Sequence, residues 1–158
     1  MSDDLARPGL RREFVYTVTA DLPAGPTTGA PAGAQQYWRL REARIEGERL
    51  RAGLIGAGVD WMGVGDDGFW RPDCRLQLLT DDGEVVLMSY HGLVEQTPAF
   101  TRAAEADEPT AWHDQYLRIA VTFRTGSPRY AWLTTALFVG AGRLLGTGRI
   151  EYAVHRVT

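Results

Sequence analysis

The 158-residue chain is 44% hydrophobic and 23% charged, the size of one domain and the make-up of an ordinary folded protein, which argues against disorder, a coiled coil or a membrane span. Its 17 basic and 20 acidic residues leave a net charge of −3, so the balance provides no basic surface for a phosphate backbone, and nucleic acid is not an expected partner. Every basic residue is arginine, and there is neither lysine nor asparagine, which excludes Schiff-base chemistry, lysine-dependent phosphate loops and N-glycosylation.

The chain begins Met1-Ser2-Asp3-Asp4 with no apolar run behind it. It reads as neither signal peptide nor anchor, which points to a cytoplasmic protein with no membrane partner and a tail over residues 1–12. The first strand is expected at 11–20. Residues 21–35 carry Pro23, Pro26 and Pro31 with Gly25, Gly29 and Gly33 and no apolar period, the pattern of a long loop that either covers a site or has no function. Strands follow at 36–46, 49–56, 58–64 and 69–79. The turns Asp66-Asp67-Gly68 and Asp81-Asp82-Gly83 predict tight hairpins with two central residues at positive φ. After a strand at 84–94 comes the one expected helix, with Thr97 as N-cap, Pro98 in its first position and a run to Ala106, placed to plug an end of the fold. Further strands are expected at 115–124, 131–140 and 149–157, with a third turn at Gly146-Thr147-Gly148. The sum is one all-β domain over residues 1–158, an antiparallel β-barrel or strongly curled sheet of about nine strands with one short helix.

Period two divides each strand into two faces. Leu117, Ile119, Val121 and Phe123 oppose Tyr116, Arg118, Ala120, Thr122 and Arg124, and Cys74, Leu76 and Leu78 oppose Asp73, Arg75 and Gln77. From Val85 to Leu93 both sets are largely apolar, which predicts a strand covered on both sides, with His91 among apolar neighbours and a homodimer or higher homo-oligomer as the assembly. The polar-aromatic sets face either solvent or a central cavity; their Tyr, Trp, Arg and Asp content favours a ligand wall.

Three motifs, Gly53-Leu54-Ile55-Gly56-Ala57-Gly58-Val59-Asp60-Trp61, Leu78-Leu79-Thr80-Asp81-Asp82-Gly83 and Phe123-Arg124-Thr125-Gly126-Ser127-Pro128-Arg129-Tyr130-Ala131-Trp132-Leu133, in this order and spacing resemble the uncharacterised DUF3237 (UPF0311) family over about Tyr37 to Val154. The resemblance implies a compact β-barrel-like fold and a small, often self-associating protein, and little about chemistry. The matching positions are Asp60, Trp61, Asp73, Arg75, Gly92, Tyr116, Arg118, Pro128, Tyr130 and Trp132. The chain departs from the family pattern at Arg124 and Thr134.

No nucleophile elbow, Walker loop or dinucleotide fingerprint is present. The single Cys74 allows no internal disulfide and reads as an inert buried thiol, and His91, His113 and His155 lack zinc-ligand spacing, so neither a metal nor a cofactor is expected. What remains is proton transfer. Asp60, between Val59 and Trp61, is the candidate base if the indole strips its water; accepting turn amides is the equal alternative. Tyr116, Tyr130 and Arg118 are candidates to stabilise an oxyanion. Trp61, Asp73, Arg75, Tyr90, His91 and Trp132 are candidate substrate contacts, with Asp73 held ionised by Arg75. The expected function is a cofactor-independent isomerase, cyclase or lyase acting on an enolisable, aromatic or polyketide-like small molecule of secondary metabolism. The alternative is a non-catalytic binding protein for a hydrophobic aromatic metabolite.

Overall fold

The structure is a computed structural model that describes residues 6–24, 29 and 33–158. Ten antiparallel strands form one sheet: β1 Leu10–Ala20, β2 Ala34–Gly47, β3 Arg51–Leu54, β4 Gly58–Val64, β5 Phe69–Arg71, β6 Asp73–Thr80, β7 Val85–Glu95, β8 Leu117–Thr125, β9 Phe138–Gly146 and β10 Arg149–Val157. Following hydrogen-bonded neighbours from β1 through β10, β9, β8, β7, β6, β4 and β2 returns to β1. The sheet is therefore closed into a ring, which removes the unpaired edges an open sheet would expose.

The alternation expected for β6 and β8 holds. Cys74, Leu76 and Leu78 are buried opposite the exposed Arg75 and Gln77, and Leu117, Ile119, Val121 and Phe123 are buried opposite Arg118, Ala120, Thr122 and Arg124. In β2 the inward set changes parity, with Leu40 and then Ala43 and Ile45 buried. The register against β1 jumps from Thr19↔Glu42 to Ala20↔Leu40, so the extra residue Arg41 forms a bulge that re-aims the strand. In β9 the inward positions Gly140 and Gly142 carry no side chain. A Cβ on Gly142 would lie 2.7 Å from Cε1 of Tyr152, so this glycine is what lets a ring as large as Tyr152 fill the interior.

The helix α1, Pro98–Ala106, starts as expected: the Thr97 hydroxyl accepts the Phe100 amide at 3.1 Å and donates to the Asp114 carbonyl at 2.7 Å. Its other end is fastened to the β9–β10 turn, where the Thr147 amide donates to Asp107 at 2.9 Å and the Thr147 hydroxyl to the Ala104 carbonyl. Phe100 and Ala103 are buried, and α1 lies over one end of the barrel.

Four expectations change. The strand predicted at 131–140 is a 3-10 helix over Pro128–Thr134, followed by β9. Pro128 fixes φ and has no amide to donate, and Tyr130 and Leu133, three residues apart, are buried at the end of the barrel away from α1. The run 69–79 is two strands, parted at Pro72. The Asp-Gly turns use positive φ only at Gly68 and Gly83; the Gly83 amide donates to the Thr80 carbonyl at 2.9 Å, so these are not turns with both central residues in that region. Residues 10–12 belong to β1 rather than a tail, while residues 1–5 and much of the 21–35 loop lie outside the described residues. The described part of that loop is held at Asp21, whose amide donates to the Arg39 carbonyl and whose carboxylate pairs with Arg39 and Arg41. No helix among the described residues is long and apolar enough to cross a membrane.

Candidate active site

Closing the ring turns one face of every strand inward, and the row Trp38, Asp60, Cys74 and Tyr90 runs across β2, β4, β6 and β7 as successive cross-strand partners. All four share the inner face. Asp60 is only 6% exposed and Tyr90 2%. Tyr90 packs with two further phenols: Tyr16 stacks on Tyr152 with ring centres 5.7 Å apart, and the Tyr16 and Tyr90 hydroxyls are 3.2 Å from each other.

Toward α1 this interior is hollow. A narrow pouch of about 60 Å³ is lined by Val18, Leu40, Asp60, Tyr90 and Tyr152 among others. Above it a vestibule of about 410 Å³ lies under α1, with Trp38, Met62, Trp70, Phe100 and Ile150 in its walls and Leu22 at its rim. Volumes of this order fit small organic ligands, and mainly apolar walls with few polar groups are their usual surroundings. Below the tyrosines the barrel is solid, filled by Phe14, Phe123 and Phe138 in mutual contact.

Asp60 is the carboxylate of the pouch. Burial raises its pKa from 3.8 to about 6, against the smaller lowering influences of the Asp73 amide, which donates to Oδ1 at 3.0 Å, and of the Cys74 thiol. Such a group is ionised near neutrality yet basic enough to take a proton. The same burial drives the Cys74 thiol and the Tyr16, Tyr90 and Tyr152 phenols well above their ordinary values, so they remain protonated donors. The indole expected to desolvate Asp60, that of Trp61, points outward and is 51% exposed, and the one that shares the inner face with Asp60 is Trp38, its register partner across β2 and β4.

The other residues singled out in the sequence divide by face. Asp60 and Tyr90 meet at the pouch. Trp61, Asp73, Arg75, His91, Tyr116 and Arg118 lie on the outer wall, where His91 Nε2 is 3.2 Å from Asp73 Oδ1, the Arg118 guanidinium is 5.0 Å from the Tyr116 ring, and Trp61 meets Tyr37 edge-on. No ion pair joins Arg75 to Asp73, whose side-chain partner is His91. Tyr130 and Trp132 are in the 3-10 helix at the far end; the Tyr130 hydroxyl donates to Asp82 and Trp132 stacks on the Arg49 guanidinium at 3.7 Å. The polar-aromatic faces thus look out of the barrel. On β7 the outer set Val85, Leu87 and Leu93 is exposed in the single chain, so among the described residues nothing of the chain itself covers it. The sequence points to Trp38 as a core or pocket wall, which is where it lies, but does not single out Met62, Trp70, Phe100 or the Tyr16 and Tyr152 phenols. The alternation that buries Tyr16 between Phe14 and Val18 was legible, but not which strand faces would meet across the interior.

The sequence matches the family described as "Protein of unknown function (DUF3237)" over residues 10–157. The chain belongs to this family. It is 27% identical over 153 residues to a UPF0311 protein of Rhodopseudomonas palustris, covering 95% of this chain and 98% of that one. A crystal structure of a conserved protein of unknown function from the same organism superposes with a TM-score of 0.85 at 23% identity, covering 98% and 100% of the two chains. A β-barrel-like protein from Acinetobacter baumannii gives 0.81 at 23% identity over 99% and 100%. A DUF3237 chain of this kind also shares its fold with a protein described as an enzyme from Penicillium herquei, at a TM-score of 0.65 and 18% identity over the whole of both chains.

Proposed function

We propose that the barrel interior is a catalytic site for proton transfer, a cofactor-independent isomerase, cyclase or lyase acting on a small, mainly apolar, enolisable molecule of secondary metabolism. The observation that carries this reading is the Asp60 carboxyl, buried at the floor of an apolar cavity with its pKa raised to about 6. In the step it supports, ionised Asp60 takes a proton from carbon, the electron pair moves onto a neighbouring oxygen, and the proton returns at a different atom. Tyr90 and Tyr152 line the pouch and offer O–H donors to the oxygen as it gains charge. They take the part expected of Tyr116, Tyr130 and Arg118, which are elsewhere. Removal and return of one proton needs no redox group. That a fold neighbour is described as an enzyme is consistent with catalysis on this scaffold and does not define the reaction.

The test is deuterium uptake from D₂O into a panel of 1,3-dicarbonyl and hydroxyaromatic compounds, followed by NMR. The wild-type chain is expected to catalyse exchange into at least one of them, and Asp60→Asn to lose about 10²-fold or more of it with an unchanged circular dichroism spectrum. Exchange by the folded Asn variant at the wild-type rate would overturn the assignment. The nearly all-apolar vestibule also favours a second reading, a carrier of hydrophobic metabolites; binding without any exchange in the wild type decides for it.

A further inference from the structure

The pouch and the vestibule have five lining residues in common: Trp38, Met62, Val94, Gly148 and Ile150. They form a collar between a space of about 60 Å³ and one of about 410 Å³. Gly148 belongs to it by necessity, because its φ is +67° and a Cβ there would sit 2.6 Å from the Ala20 carbonyl oxygen. In a chain with 17 arginines, none lines either space; the ionisable groups among the described lining residues are Asp60 and Glu105, with the phenols of Tyr90 and Tyr152.

We infer that the cavity selects its occupant by charge and by the width of one end: an uncharged molecule with a flat body in the vestibule and a narrow end that passes the collar to Asp60. Carboxylates, phosphates and sulfates are rejected. An anion placed there would lose its water, find no cation, and face the buried Asp60 carboxylate through a medium of low dielectric, with the exposed Glu105 adding a second negative charge in the vestibule wall. A neutral O–H or acidic C–H finds an acceptor in Asp60 and donors in the phenols, while Trp38 and Trp70 put aromatic surface in the walls for a ring to meet. This deepens the proposed function, on whose site it rests, and bears on the molecule's origin. The reaction that supplies the substrate must already have released it from any phosphate ester or charged carrier, and must have removed any free carboxylate.

Two inert probes test this without turnover. Binding of 2-naphthol and of 2-naphthoate to the full chain at pH 8 is compared by saturation-transfer NMR, and the carboxyl carbon of ¹³C-labelled Asp60 is followed in the same samples. The expected result is binding of 2-naphthol with a shift of the Asp60 signal, and binding of 2-naphthoate about tenfold weaker or less. Met62→Trp, which fills the collar and leaves Asp60 in place, is expected to retain 2-naphthol in the vestibule but to abolish the Asp60 shift. Naphthoate binding as tight as naphthol, an Asp60 signal indifferent to naphthol in the wild type, or no binding of either probe would overturn the inference. If the probes sort as expected while Asp60→Asn leaves exchange intact, the cavity keeps its selectivity and the catalytic reading alone fails.

Discussion

Asp60 and Asp73 are joined through the wall of the barrel: the Asp73 backbone amide donates to Asp60 Oδ1 at 3.0 Å, while the two side chains point to opposite sides of it. The inner carboxylate is thereby oriented by main chain, which holds its position more firmly than a surface side chain would. The outer carboxylate meets His91 instead.

The raised pKa of Asp60 is also a statement about stability. Below about pH 4 the carboxyl is protonated in both the folded and unfolded states, and burial costs little. Between the ordinary value of 3.8 and about 6 the unfolded chain gives up its proton first, so the native state holds more protons and stability falls as pH rises. The gap, at about 1.4 kcal/mol per pH unit, comes to about 3 kcal/mol, and that cost persists at all higher pH. Asp60→Asn removes the titration. Urea unfolding at pH 4.5 and pH 8 is expected to show the wild type weakening by about 2 kcal/mol relative to the Asn variant across that interval, because part of the cost is already present at pH 4.5. Parallel behaviour of the two proteins would show that Asp60 is not desolvated.

Gly92 tests the closeness of β7 and β8. A Cβ there would stand 2.3 Å from the Arg118 carbonyl oxygen and 2.8 Å from Cγ2 of Ile119. The first obstacle is backbone and cannot swing aside. Gly92→Ala is expected to cost about 3 kcal/mol or more in thermal or urea unfolding. Gly126→Ala, with nothing within 4 Å of its added carbon, is expected to stay within about 0.5 kcal/mol of wild type. Equal effects of the two would mean that the strands part freely at Gly92.

The same physics explains what could be read from the chain beforehand. Alternation in β6 and β8 and the cap at Thr97 are local, and each was legible from neighbouring residues. So was the desolvation of Asp60, although the indole credited with it, that of Trp61, is on the outer face. Val59 and Trp61 are adjacent to it in sequence, yet period two sends Trp61 outward, and the indole beside Asp60 on the inner face comes from Trp38, 22 positions earlier. Which face of each strand is inner depends on ring closure and on the bulge at Arg41, and neither leaves a local mark. Tyr116, Arg118, Asp73 and Arg75 were given to a cavity for their chemistry, but alternation had paired each with a buried apolar neighbour, Leu117, Ile119, Cys74 or Leu76. Along 131–140 the apolar content resembles a strand, and the proline at 128 sets a 3-10 turn instead.

Thr97 connects helix stability to the cavity. Its hydroxyl accepts the Phe100 amide and donates to the Asp114 carbonyl, so Thr97→Ala frees two groups in one step. The loss is expected to be about 1 to 2 kcal/mol, read as a lower Tm. Because Phe100 and Thr101 sit in the first turns of α1 and line the vestibule, fraying there also loosens the wall. Affinity for 2-naphthol should therefore fall severalfold, whereas Asp107→Asn, at the opposite end of α1, should leave it nearer the wild-type value. Unchanged naphthol affinity in the Thr97 variant would show that the first turn of α1 does not shape the site.

Tyr16 separates the packing of the phenol cluster from its chemistry. Its ring is wholly buried, stacked on Tyr152, and its hydroxyl is 3.2 Å from that of Tyr90. Tyr16→Phe keeps the ring and its contacts and removes one buried hydroxyl–hydroxyl interaction, at an expected cost of about 1 kcal/mol. Tyr16 does not line the pouch, whereas Tyr90 and Tyr152 do. Deuterium exchange should accordingly survive in Tyr16→Phe within a few-fold, while Tyr152→Phe, which preserves the stacked ring and takes away the hydroxyl of a residue lining the pouch, should lose about tenfold or more. The unfolding transition of each variant, measured alongside the exchange rate, distinguishes a lost donor from a loosened core: a Tyr152→Phe chain as stable as wild type with full exchange would remove Tyr152 from the proposed chemistry.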